Sequence, residues 1–96
     1  MKERIYLNSL YDYYGTLLTP KQQLYFEDYY FHNLSLAEIS ENYNVSRNAV
    51  HKQLKDVEEK LNDYESKLKL YEKGKKIREL TKHLDKNLRE KIEELI

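Results

Sequence analysis

The chain contains no cysteine, one proline and two glycines in 96 residues, and its formal net charge is zero. The absence of cysteine excludes a disulfide framework and a thiolate metal site, and it fits a reducing cytoplasm. So little glycine and proline argues against strands joined by tight turns. The lysine, glutamate and leucine of the second half argue for helix, and an all-α fold is predicted. No apolar run approaches the roughly 20 residues that cross a bilayer. The opening Met1-Lys2-Glu3-Arg4-Ile5-Tyr6 lacks the apolar core of a secretory leader. A cytoplasmic protein with no membrane partner is expected. The 17 basic and 17 acidic residues cancel, which removes the strong sequence-independent pull toward nucleic acid that an excess of cations provides.

Signals for catalysis are also missing. His32, His51 and His83 are far apart and stand in no Glu-x-x-His or His-x-x-x-His spacing, so a metal site is not expected. The two glycines are isolated, without the pattern of a phosphate loop, and no serine occupies a nucleophile elbow. Glu58 and Glu59 read as helix-surface charges. Neither a cofactor nor an enzymatic activity is expected.

What is present is a helix-turn-helix pattern over residues 35–54. Ser35 with Glu38 three residues on has the spacing of a capping box. Leu36 and Ile39 share one face, and Ala37 is small where a second helix must pass close. Asn44 is the expected pivot, because asparagine tolerates the left-handed backbone of a sharp turn. Val45 should pack inward. Ser46 caps a second helix in which Ala49, Val50 and Leu54 form the apolar side. Arg47, Asn48, His51, Lys52 and Lys55 form the outer side, and no acid occurs between Ser46 and Lys55. Arginine and asparagine pair bidentately with guanine and adenine edges; lysines suit phosphates. The candidate DNA-binding set is therefore Ser46, Arg47, Asn48, His51, Lys52 and Lys55.

The pattern extends upstream. Leu18-Thr19-Pro20-Lys21-Gln22-Gln23-Leu24-Tyr25-Phe26, Tyr29-Tyr30-Phe31 and Leu34-Ser35-Leu36-Ala37-Glu38-Ile39 are similar to region 4 of bacterial sigma factors, where a Thr-Pro-capped helix precedes the helix-turn-helix. With the following Val45-Ser46-Arg47-Asn48-Ala49-Val50 and a long charged helix, the chain resembles the YlxM-like family of small helix-turn-helix proteins over roughly residues 5–72. The resemblance implies a sigma region 4-like bundle with a long C-terminal helical extension, and Val45–Val50 as the start of the recognition helix. It also implies a regulatory or accessory link to the signal recognition particle pathway, with components of that particle as partners. His51-Lys52 stand where that family often has an aromatic or an acid, which makes this face more basic at its start.

Two segments are predicted: a helix-turn-helix domain over 1–56 and a helical extension over 57–96. A first helix should run from about Glu3 to Tyr14 and stop at Gly15 in a left-handed turn. Thr19 should cap a second helix with Pro20 at its first position, and its aromatic residues should be core. From Val50 the apolar residues fall at Leu54, Val57, Leu61, Tyr64, Leu68 and Tyr71, in alternating steps of four and three. This is a heptad seam, continuous with the recognition helix. Val57, Leu61, Tyr64, Leu68 and Tyr71 are the candidate oligomerisation residues of a homodimer. Gly74 is the expected break. The stripe Ile77, Leu80, Leu84, Leu88, Ile92 and Leu95 beyond it could fold back as a hairpin or pair with a second chain.

Charge is unevenly spread: residues 1–46 carry net −3 and residues 67–86 net +5. Two functions follow. One is a DNA-binding regulator that makes a weak, salt-sensitive contact through each copy. The other is a non-catalytic protein-interaction or ribonucleoprotein accessory module that uses the extension.

Overall fold

The computed structural model describes residues 2–96; Met1, part of the segment read for a leader, lies outside them. Among the described residues there are six α-helices and no strand. They are α1 (Lys2–Tyr14), α2 (Pro20–Phe26), α3 (Leu36–Tyr43), α4 (Arg47–Leu68), α5 (Leu70–Thr81) and α6 (Lys86–Glu93). A 3-10 turn, Gly15–Leu17, follows α1, and a π-helical turn, Glu27–Phe31, prolongs α2. The molecule is a bar of 51 × 25 × 24 Å. It is the all-α helix-turn-helix bundle with a helical extension that the sequence predicts.

Local chemistry sets the helix ends. Thr19 and Gln22 form a reciprocal capping box at α2, with Pro20 at the first helical position, where a missing N–H costs nothing. In the π turn, the His32 N–H donates to the Glu27 carbonyl five residues back at 3.0 Å. Arg4 of α1 covers this wide turn: its Nη2 donates to the carbonyls of Tyr29 and Tyr30 at 2.9 and 3.0 Å and to Asn33 Oδ1 at 2.8 Å. Asn33 is left-handed at φ 55° and turns the chain toward α3.

Two apolar cores result, and α4 lines both. Val50 and Leu54 close the first against Tyr25 and Ile39. Val57 and Leu61 close the second against Leu7, Leu10, Tyr14, Leu18 and Phe26. Burying each such aliphatic side chain contributes about 1.5–3 kcal/mol. The expected aromatic core is present in part: Tyr14, Tyr25 and Phe26 are inaccessible and stacked or edge-on rings link α1 to the π turn, whereas Tyr29 and Tyr30 are half-buried and Phe31 is exposed.

The extension departs from its predicted form. Val57 and Leu61 have no accessible surface, so the fold itself consumes the middle of the heptad seam and leaves nothing there for a second chain. Tyr64 lies 5.8 Å from the ring of Tyr14, and Tyr71 meets Tyr6 edge-on at 5.2 Å. Leu68 remains exposed. The boundary expected after residue 56 falls inside α4. The helix breaks at Lys69, left-handed at φ 57°, and not at Gly74, which lies inside α5. Gly74 serves close approach: a Cβ there would lie 2.5 Å from Tyr13 Oη on α1. Gly15 is not left-handed either; its Cβ would lie 3.0–3.2 Å from the Tyr11 ring.

The bend at Lys69 leaves three amides of α5 without helical partners, and all three are captured. Leu70 N–H donates to Tyr14 Oη at 3.0 Å; Tyr71 and Glu72 N–H donate to the two Glu65 oxygens at 3.0 and 3.1 Å. Tyr14 Oη in turn donates to Glu65 Oε1 at 2.6 Å. Removing this carboxylate strands buried donors, so Glu65→Ala should lower unfolding free energy by about 2–3 kcal/mol in urea titrations. Glu65→Gln should recover only part, since its amide group faces an N–H with a donor.

Burial, then the hydrogen bond to Glu65, pushes the Tyr14 phenol from 10 up to about 12. A raised pKa means that the folded state favours the protonated phenol. Its contribution is complete below pH 10 and disappears as pH rises toward 12. Burial shifts Tyr11 and Tyr30 the same way, each aided by a carboxylate partner. Stability followed by circular dichroism should therefore fall along this alkaline limb, and Tyr14→Phe should flatten part of the fall.

Candidate nucleic-acid interface

The helix-turn-helix comprises α3, a short turn and the start of α4. Ser35 and Glu38 cap α3 reciprocally, with Glu38 N–H to Ser35 Oγ at 3.1 Å and Ser35 N–H to Glu38 Oε1 at 3.0 Å. The bonds from the Ser35 amide and then its hydroxyl hold the Glu38 carboxyl below its usual range. Asn44 sits at φ 54°, ψ 48°, the left-handed pivot that the sequence predicts. The amides of Asn44 and Val45 bond back to Glu41 and Ser40, closing the turn. Val45 packs against the first core. Ser46 caps α4 by accepting the Ala49 N–H at 3.0 Å.

These supports fix where the candidate side chains go. Val50, Leu54, Val57 and Leu61 face the cores, so the opposite side of α4 is turned to solvent. Ser46, Arg47, Asn48, His51, Lys52 and Lys55 are all exposed. Among the described residues, Arg47, Lys52 and Lys55 take part in no ion pair. Arg47 and Asn48 occupy the first turn of α4. His51 and Lys55 line a recess of about 260 Å³ with Tyr29, Tyr30, Leu36, Leu54 and Glu58. From Arg47 to Lys55 the surface spans about 12 Å at 1.5 Å per residue. Asp56, Glu58 and Glu59 follow it and limit the cationic stretch to the first turns.

One neighbour escaped the sequence reading. Lys21, in the first turn of α2, holds its Nζ 5.6 Å over the ring of Tyr25, and Tyr25 shares a core with Val50 and Leu54. This exposed cation therefore stands beside the helix-turn-helix. Its four-residue spacing to Tyr25 was the available signal. No group of three or more histidine, aspartate or glutamate side chains among the described residues could hold a metal ion.

Capped helix, left-handed pivot and capped, core-anchored second helix define a helix-turn-helix protein. The family model described as "Putative helix-turn-helix protein, YlxM / p13 like" matches residues 1–96, and the chain belongs to this family, UPF0122. UPF0122 proteins of Desulforamulus reducens and Anoxybacillus flavithermus are 56% identical over 59 residues and 52% identical over 52 residues, covering 62% and 54% of this chain. The Lactococcus lactis protein YofM is 50% identical over 52 residues, 54% of this chain. The chain spans about half the length of these curated relatives, 50%, 47% and 47% respectively.

The turn chemistry is open to a direct check. Asn44→Gly should leave the thermal midpoint close to that of the parent, whereas Asn44→Val should cost about 1–2 kcal/mol, because a β-branched residue resists the left-handed region. Ser46→Ala should cost about 1 kcal/mol through loss of the cap.

Proposed function

We propose that the protein is a regulatory DNA-binding protein that inserts the start of α4 into the major groove. Arg47, Asn48 and His51 face base edges; Lys52 and Lys55 hold phosphates, with Ser46 at the helix start. The observation that carries this reading is the acid-free, solvent-facing surface from Ser46 to Lys55, fixed from behind by Val50 and Leu54. With so few phosphate contacts, affinity should be modest and steeply dependent on salt.

A second reading rests on α5. Lys69, Lys73 and Lys75 are exposed and take part in none of the ion pairs among the described residues. Lys69 follows the last residue of α4, and α5 folds back from it so that Lys75 lines a recess with Asn62 and Glu65. An accessory module of the signal recognition particle would meet its partner through this end.

Selection from a random duplex library at stated salt tests the first reading, which requires an enriched motif. Arg47→Ala should weaken binding about 5- to 100-fold and blur that motif, while Lys55→Ala should weaken all sequences alike. Equal binding by parent and both variants in a filter titration would reject the assignment. If Lys73→Glu with Lys75→Glu abolishes capture of particle components and leaves the duplex mobility shift intact, the accessory reading gains.

A further inference from the structure

The last cation of the candidate interface has acids within reach on its own helix and pairs with none of them. Glu58 lies three residues after Lys55 and Glu59 four, spacings at which lysine and glutamate meet on a helix. Elsewhere such pairs form: Asp63 with Lys67, Glu72 with Lys76, Glu79 with Lys82 and Lys86 with Glu90. Glu59 is the poorer partner for Lys55, because a lysine four residues before a glutamate is the weaker order. It also lines a different recess, with Gln22, Gln53 and Lys60. Glu58 shares with Lys55 the recess beside the π turn, and its failure to pair needs a cause.

The cause is Tyr30. Its hydroxyl donates to Glu58 Oε1 at 2.6 Å, a short, charge-assisted bond in a half-buried place. Such a bond outweighs an exposed lysine–glutamate pair three residues apart. The phenol is itself held from the far side of the domain. Its ring stacks on Phe26 with centroids 4.5 Å apart and meets Tyr29 edge-on at 5.0 Å. The Arg4 guanidinium lies 5.1 Å from the ring centre, and Arg4 Nη2 donates to the Tyr30 carbonyl at 3.0 Å. Tyr30 packs against both cores. The place of its hydroxyl is thus set by α1 and α2, and the carboxylate of α4 comes to it.

We propose that Tyr30 is a positioning residue of the nucleic-acid interface: its hydroxyl holds the Glu58 carboxylate toward the π turn and off Lys55, which keeps the Lys55 ammonium open to a phosphate. The phosphate half of this inference rests on the groove-insertion reading; the hold on Glu58 does not. Arg4 acts one step further back, by fixing the ring and carbonyl of Tyr30. Without the hydroxyl, Glu58 turns to the cation three residues before it, and a phosphate must then displace a carboxylate to reach Lys55.

Tyr30→Phe keeps the ring and drops the hydroxyl, and two measurements on the full chain read the result. The first is trace acetylation by acetic anhydride, resolved for each lysine by mass spectrometry, since a paired ammonium keeps its proton and reacts more slowly. Tyr30→Phe should slow Lys55 about twofold relative to Lys52, and should slow it not at all when Glu58→Gln is already present. The second is duplex affinity. Tyr30→Phe should weaken binding about twofold in the parent and leave it unchanged in the Glu58→Gln and Lys55→Ala backgrounds. A merely structural tyrosine would weaken binding equally in all three, and that result would overturn the proposal. So would Lys55 acetylating at the parental rate in Tyr30→Phe, or slowing equally with and without Glu58. If the parent binds no duplex while the Glu58-dependent slowing is present, the phosphate role falls together with the groove reading. If the parent binds duplex and the slowing is absent, the role of Tyr30 falls alone.

Discussion

A single helix has to close two cores at once. Val50 and Leu54 must meet α2 and α3, while Val57 and Leu61, two turns on, must meet α1 and the end of α2. At 100° per residue these four positions stay on one side only if α4 is straight and uninterrupted over this stretch. No glycine or proline occurs in it. The rigidity has a functional consequence: the first turns of α4, which carry Arg47 and Asn48, are aimed by packing two and three turns away. The exposed set inherits its direction from buried residues.

Much of this was legible in the sequence, for a physical reason. Helix ends are governed by local rules, and Thr19, Ser35, Asn44 and Ser46 are each the residue type that its local backbone demands. The exposed face of α4 follows from spacing alone. The destination of a stripe was not legible. Steps of four and three are the same whether the facing surface belongs to a second chain or to α1 of the same one. Only the tertiary arrangement shows that Leu7, Leu10 and Tyr14 fill that place. Glycine misled for a related reason: both glycines were read as conformational punctuation, and both instead make room for a tyrosine on a neighbouring turn or helix.

The tyrosines explain how so small a chain tolerates so many acids near its cores. Glu27, Glu58, Glu65 and Asp28 each accept a hydroxyl from Tyr11, Tyr30, Tyr14 and Tyr43, at 2.5, 2.6, 2.6 and 2.8 Å. A phenol offers a large apolar body to the core and a donor at its tip. Carboxylates at the core margin are thereby satisfied without lysine or arginine. Most of the cations fall toward the two ends, Arg47 to Lys55 and the α5–α6 region, while Arg4, Lys21, Lys60 and Lys67 lie elsewhere. Zero net charge thus conceals a molecule that is positive at its tips.

The bend at Lys69 shows why local preference yields there. Lysine in the left-handed region costs about 1–2 kcal/mol, and a continuous helix would avoid that cost while keeping the stripe through Leu68 and Tyr71. A straight helix, however, would carry Tyr71 and Gly74 away from α1 into water. Bending sets Tyr71 on Tyr6 and brings α5 to within a glycine's reach of Tyr13. The usual penalty of starting a new helix, three amides without acceptors, is cancelled by Glu65 and Tyr14, which are already held in the second core. A carboxylate four residues before the bend and a phenol fifty-five residues before it therefore select the folded-back path. Glu65 lies in the chain around Lys69, but the phenol cannot be recognised as a cap from it, since Tyr14 arrives only when α1 has packed.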